Sequence, residues 1–191
     1  MTSVLALLIV LLGFTGQQPP QPVRVVILTD AGEIEADIDV ARAPITATNF
    51  LKYVDAGFFD GGRFFRTVRP DNQVDKPVKI AVIQAAANRD KRAQFFPPIP
   101  LERTNATGIP HKDGTLSMAR STPDTARDSF SICVGDQPAL DFGGPRQPDG
   151  QGFAAFGQVV KGMEIVRKIQ MGPADGETLN PAIAILSVRR R

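Results

Sequence analysis

The chain has 191 residues, enough for one domain with a substantial core. Its 42% hydrophobic and 22% charged residues match globular composition and argue against a disordered chain. A net charge of +2 argues against a polycationic surface for nucleic acid, one Cys excludes an intrachain disulfide framework or a CxxC motif, and one His excludes a His-rich metal site.

Val4 to Phe14 is an uninterrupted apolar run. At about eleven residues it is too short to cross a bilayer, which takes about 20. It fits the core of an export signal, with Thr15 and Gly16 as small residues for cleavage. No Lys or Arg precedes it, and the first basic residue is Arg24. An uncleaved anchor or a buried first element therefore stay open beside cleaved export. With no Cys nearby, a lipoprotein anchor is excluded. The expected organisation is a signal at 1–16, a Gln/Pro linker at 17–22, one domain at 23–188 and a basic tail at 189–191. That organisation predicts a periplasmic or secreted protein without a stable membrane span.

Val23 to Thr29 reads as a strand and Asp30-Ala31-Gly32 as a turn. Glu33 to Val40 alternates, with Glu33, Glu35, Asp37 and Asp39 on one face and Ile34, Ala36, Ile38 and Val40 on the other. The carboxylates are expected to form a solvated face rather than a metal site. Pro44 opens a helix whose apolar face is Ala47, Phe50, Leu51 and Val54, and Gly57 ends it. Phe58 to Arg66 predicts a turn and a strand, and Ile80 to Ala86 a short apolar strand. Gln94 to Pro100, with three prolines, is no central strand. Further strands are expected at Gly114 to Ala119, Phe130 to Val134, Phe153 to Val160 and Ala182 to Val188, and a short helix at Met163 to Ile169. Many short strands, two helices and connections rich in the 17 Gly and 16 Pro predict a closed antiparallel barrel, because closure leaves no edge strand exposed.

Several chemical motifs are missing. Gly150 to Ala155 matches GxGxxA, but a polar loop precedes it and a strand-like run follows, the wrong context for a dinucleotide site. There is no Walker A, GxSxG or HExxH. His111, beside Lys112 and Asp113, is expected on the surface, and Cys133 as a buried small hydrophobe. Chemistry that needs neither nucleophile nor metal is indicated.

A set of motifs then resembles the cyclophilin family: Thr48-Asn49-Phe50-Leu51, Gly57-Phe58-Phe59-Asp60-Gly61, Phe64-Phe65-Arg66, Val82-Ile83-Gln84, Gly114 to Ala119, Leu140-Asp141 and Phe156 to Met163. They occur in the family's order from about Val23 to Val188. The resemblance implies an eight-stranded antiparallel β-barrel capped by two helices. It also implies peptidyl-prolyl cis/trans isomerase activity without cofactor or metal, acting on proline-containing peptides or unfolded proteins, in a monomer. By position, Arg66 would donate to the prolyl nitrogen and Gln84 would orient it and touch the substrate backbone. Val82 and Leu140 would line the proline pocket, and Ala119 and Arg120 would hold the peptide along the groove.

Departures from the family pattern cluster at the same place. Phe65 stands for a His, Ala81 for a pocket aromatic, Ser131 for a second aromatic, Ser129 for a Gln, Ala139 for a Trp or Phe, and Phe153 for a His or Tyr. Ala85-Ala86 replaces a Gly pair, and Arg69 to Lys79 looks like an insertion. These changes imply a weakened isomerase, with Phe95, Phe96 or Phe153 as candidates to refill the pocket. The alternative is a non-catalytic module that binds proline peptides. A barrel carrying a small apolar ligand is a third reading without specific support.

Overall fold

A computed structural model describes residues 20–191, so the apolar run and most of the Gln/Pro linker lie outside the described residues. The elements are β1 (Val23–Thr29), β2 (Gly32–Ile38), α1 (Pro44–Asp55), β3 (Arg63–Val68), β4 (Val82–Ala86), α2 (Thr104–Thr107), β5 (Thr115–Met118), β6 (Ser129–Cys133), β7 (Ala154–Lys161), α3 (Met163–Gln170), β8 (Ala174–Asp175) and β9 (Thr178–Arg190). The strands run in the order β1-β2-β7-β5-β6-β4-β3-β9, all antiparallel, and β9 returns to pair with β1. This closes an eight-stranded barrel with no free edge. The two-residue β8 is only a hairpin partner for the start of β9.

Strand alternation separates two environments. In β4, Ile83 and Ala85 are fully buried in the barrel, while Val82 and Gln84 take the other face. In β6, Phe130 and Ile132 point inward, and Ser129 and Ser131 alternate with them. The interior is centred on aromatics. Phe50, from α1, stands 5.2 Å from Phe59, 5.3 Å from Phe130 and 5.2 Å from Phe156, ring centre to ring centre. The α1 helix packs on β7 and β9, and α3 covers β2, β3 and β4 with Val166 and Ile169 buried. Phe95 and Phe96 belong to this main core, against Tyr53 and Phe58, and do not refill the pocket.

Three expectations need correction. The Arg189 to Arg191 segment is exposed but no free tail: β9 runs to Arg190 against β1, and the arginines pair with Asp60, Asp55 and Glu35. The domain therefore runs past 188. The acidic face of β2 is not simply solvated either. Glu35 is buried beneath Lys161 at 3.0 Å, Arg191 at 2.7 Å and Arg24 at 3.4 Å, and Asp37 pairs with Arg24. The bond from Lys161 holds the Glu35 carboxyl at about 2. Finally, the α2 turn adds a third helix that no periodicity announced, because four residues are too few to show one.

Candidate active site

A single transverse row crosses four neighbouring strands. Arg66 on β3 faces Gln84 on β4, Gln84 faces Ser131 on β6, and Ser131 faces Ser117 on β5. All four line one cavity of about 560 Å³. Val82, Ala119, Arg120, Leu140 and Phe153 line it too. Its apolar floor is a small core of its own, made of Val68, Ile80, Val82, Cys133 and Leu140, with Ala139 and Phe153 packed against it. Cys133 is wholly buried there, and burial pushes its thiol pKa far up.

Arg66 is held on both sides. Its Nη1 donates to Gln84 Oε1 at 2.8 Å, and Gln84 Nε2 donates in turn to Ser129 Oγ at 3.0 Å. Its Nε and Nη2 both donate to Glu177 Oε2, at 2.8 and 2.5 Å. The side chain stays 33% exposed. A guanidinium has five N–H groups. These three bonds leave one on Nη1 and one on Nη2 for a ligand.

Glu177 was not foreseen, and no local signal marks it. It arrives because β9 pairs with β3 through Thr178 and Arg66, then slips so that Phe65 alone faces the Leu179–Ala182 stretch. This bulge delivers the turn before Thr178 to the arginine. Phe65 itself is half-buried in the bulge and is not on the cavity wall.

Three other expected wall residues also stand back from the cavity. Ala81 lies just outside β4, tied by its backbone to Gln137 and Val134, and Ile80 and Val82 on either side form the wall instead. Ser129 sits behind Gln84 and donates to Ala85 O at 2.8 Å. Ala139 is in the floor's packing, and its carbonyl accepts from Arg146 N.

Arg120 is on the wall, yet its side chain has no exposure. It grips Asp149 with two bonds of 2.7 and 2.9 Å, donates to Gly152 O at 2.7 Å and lies 5.1 Å from the Phe153 ring centre. The bond from Arg120 holds Asp149 at about 2. Gly152 has φ +65°, and a Cβ there would stand 2.5 Å from the Asp141 carbonyl carbon. That close crossing is what swings Phe153 onto the cavity.

The Arg69 to Lys79 segment is an ordered wall. Gln73 is buried, donates to Arg69 O and Ile80 O at 2.7 Å each, and accepts from Ile80 N and Arg146 Nη1. Lys76, Pro77 and Val78 thereby reach the cavity.

His111 is not on the surface. Its ring is fully buried, with Nδ1 2.7 Å from Asp141 Oδ1 and Nε2 2.8 Å from Ser117 Oγ. One tautomer satisfies both: Nδ1–H donates to Asp141, and Nε2 accepts from the Ser117 hydroxyl. Sequence flanks misled here, because Lys112 is exposed while the ring turns beneath it. Burial lowers the His111 pKa, and Asp141 only partly offsets this. The unfolded state therefore binds the proton first as pH drops below about 6.5. Stability is expected to be complete above that pH and to fall below it, by up to about 1.4 kcal/mol per pH unit for one proton. Urea unfolding at pH 7.5 and 5.5 checks this. A flat profile, or an unchanged slope in His111→Gln, contradicts it.

Known proteins supply the remaining comparison. Residues 24–190 match the family described as cyclophilin type peptidyl-prolyl cis-trans isomerase/CLD. The chain is 36% identical over 171 residues to peptidyl-prolyl cis-trans isomerase A of Dickeya dadantii, covering 87% of this chain and 83% of that protein. It is 31% identical over 151 residues to peptidyl-prolyl cis-trans isomerase B of Escherichia coli, covering 78% and 85%. A cyclophilin-type isomerase from Cryptosporidium parvum superposes with a TM-score of 0.68 over 89% of this chain and 98% of its own, at 18% identity, which shows the shared barrel alone. With a family match across nearly every described residue, and a relative above 30% identity over most of both chains, this protein belongs to the cyclophilin-type peptidyl-prolyl cis-trans isomerases.

Proposed function

We propose that the cavity accelerates rotation about X–Pro bonds by a non-covalent mechanism centred on Arg66. Resonance holds the peptide C–N bond planar behind a barrier of about 18–20 kcal/mol. When the bond twists, the prolyl nitrogen regains its lone pair and becomes a hydrogen-bond acceptor. A donor placed there binds the twisted state better than either planar one, and that difference is catalysis. Arg66 keeps free N–H groups for this, and Gln84 and Glu177 hold its plane. The proline ring rests on Val82, Leu140 and Phe153, and the peptide backbone runs past Ala119 and Arg120. The observation that carries this reading is the 2.8 Å bond between Arg66 and Gln84 on the wall of an apolar-floored cavity.

Activity in this chain is weaker than a full set of pocket aromatics would give. Ser131 stands on the cavity wall beside Gln84, so the ring has less to pack against there. An apolar side chain is worth about 1.5–3 kcal/mol when fully buried. Ser131→Phe is expected to raise kcat/KM on X–Pro tetrapeptides by about tenfold, since a half-buried phenyl recovers only part of that. No gain in a folded variant sinks this account of the pocket.

A second reading has its own support. Glu177 neutralises Arg66, which suits a module that grips proline peptides without turning them over. Wild-type rates decide: peptide binding with no rate above the uncatalysed reaction favours the module. The apolar run from Val4 to Phe14 within the segment 1–16 supports export to the periplasm or beyond, and the mass of the mature chain tests it. Among the described residues no helix is long and apolar enough to cross a membrane. The substrates proposed are proline-containing peptides and unfolded proteins, and the working unit is the monomer.

A further inference from the structure

Four cations line the cavity: Arg66, Lys76, Arg120 and Arg146. Glu177 answers the first and Asp149 the third. Arg146 and Lys76 have no ion-pair partner among the described residues. Arg146 Nη1 donates to Val78 O at 2.6 Å and Gln73 Oε1 at 2.9 Å, and both acceptors are neutral. Its Nε and Nη2 have no protein acceptor among the described residues. Burial and the nearby charge of Arg66 push its pKa down, and the Glu177 carboxylate offsets only part of this, so the guanidinium is incompletely compensated where it stands. Lys76, on the exposed rim of the same wall, adds a second positive charge. The wall is braced from behind by Gln73, so this charge is presented on an ordered surface.

We propose that Arg146, supported by Lys76, forms an anion subsite that selects peptides with an acidic side chain next to the X–Pro bond. The proposal rests on the isomerase reading above and names its substrate class. A carboxylate there would take the unused N–H pair of Arg146 and relieve its repulsion with Arg66. A lysine in the same place would meet three positive charges with one carboxylate, Glu177, among them.

The test uses acetylated Ala-Xaa-Pro-Phe peptides with Glu, Gln or Lys as Xaa. The expected order of kcat/KM is Glu, then Gln, then Lys, with about tenfold between the ends at low ionic strength. The spread should shrink in 0.5 M salt. Arg146→Gln is expected to bring the Glu-to-Lys ratio to about two or less, and Lys76→Ala to reduce it by a smaller factor. Equal rates on all three peptides, or an unchanged ratio in Arg146→Gln, overturn the subsite. If no peptide is isomerised, the isomerase reading fails separately, and fluorescence polarisation of the same peptides decides. Tighter binding of the Glu peptide that is lost in Arg146→Gln then upholds the subsite. Equal affinities, or no binding, overturn it.

Discussion

Replacing Arg66 with alanine is expected to lower kcat/KM on X–Pro peptides by at least about 100-fold, the usual loss when a donor aimed at a transition-state acceptor is removed. The fold should survive. Arg66 is 33% exposed, Glu177 is 24% exposed and can hydrate, and Gln84 keeps its bond to Ser129. Arg66→Lys separates charge from geometry. An ammonium keeps the positive charge but loses the planar fork that meets Gln84 and Glu177 together. Its rate should stay within about tenfold of the alanine variant if the fork matters. The measurement is a coupled tetrapeptide assay, with thermal melts to show that each variant is folded. A loss below about fivefold in Arg66→Ala would move the chemistry away from this residue.

Much of this site was legible because it lies on strands. Period-two alternation puts Val82 and Gln84 on one face and Ile83 and Ala85 on the other, so the motif Val82-Ile83-Gln84 already divides wall from core. The apolar face of α1 and the hairpin of β1 and β2 followed from local pattern in the same way. What stayed hidden depends on long-range register or on loops. Glu177 lies 111 residues from Arg66 and reaches it only through the bulge opposite Phe65. Arg146 sits in a Gly/Pro loop whose path follows from close backbone crossings at Gly144 and Gly152, not from propensity. His111 looked exposed because its neighbours are charged. Burial of a single ring in a loop leaves no periodic trace. The terminal arginines looked like a tail because their partners, Asp60, Asp55 and Glu35, are far off in sequence. Ala81 is a different failure: the resemblance put it in the proline pocket, but Ile80 and Val82 on either side carry the wall.

The same alternation predicts that stability and catalysis can be separated by mutation. Phe50 is 1% exposed and touches Phe59, Phe130 and Phe156 inside the barrel, with no part in the cavity wall. Phe50→Ala is expected to cost about 3–5 kcal/mol, the transfer energy of the ring plus the void it leaves. Net stabilities of domains are about 5–15 kcal/mol, so the variant should fold but unfold at far lower denaturant. Phe130, one of the three rings that would face the void, is flanked by Ser129 and Ser131 on the opposite face of β6. Those two residues are held on the β5 side, where Ser129 O accepts from Ala119 N and Ser131 pairs with Ser117, and Ser129 Oγ also donates to Ala85 O. The rate per folded molecule should therefore stay within about threefold of wild type, because the Arg66–Gln84 row sits on strands whose pairing the void does not break. Urea denaturation and the peptide assay, run on the same samples well below the transition, check both halves. A stability loss under about 1 kcal/mol would mean that the aromatic cluster is not the centre of the core. A collapse in rate while the barrel remains folded would mean that the interior and the cavity move together, and that the alternation along β4 and β6 does not insulate one from the other.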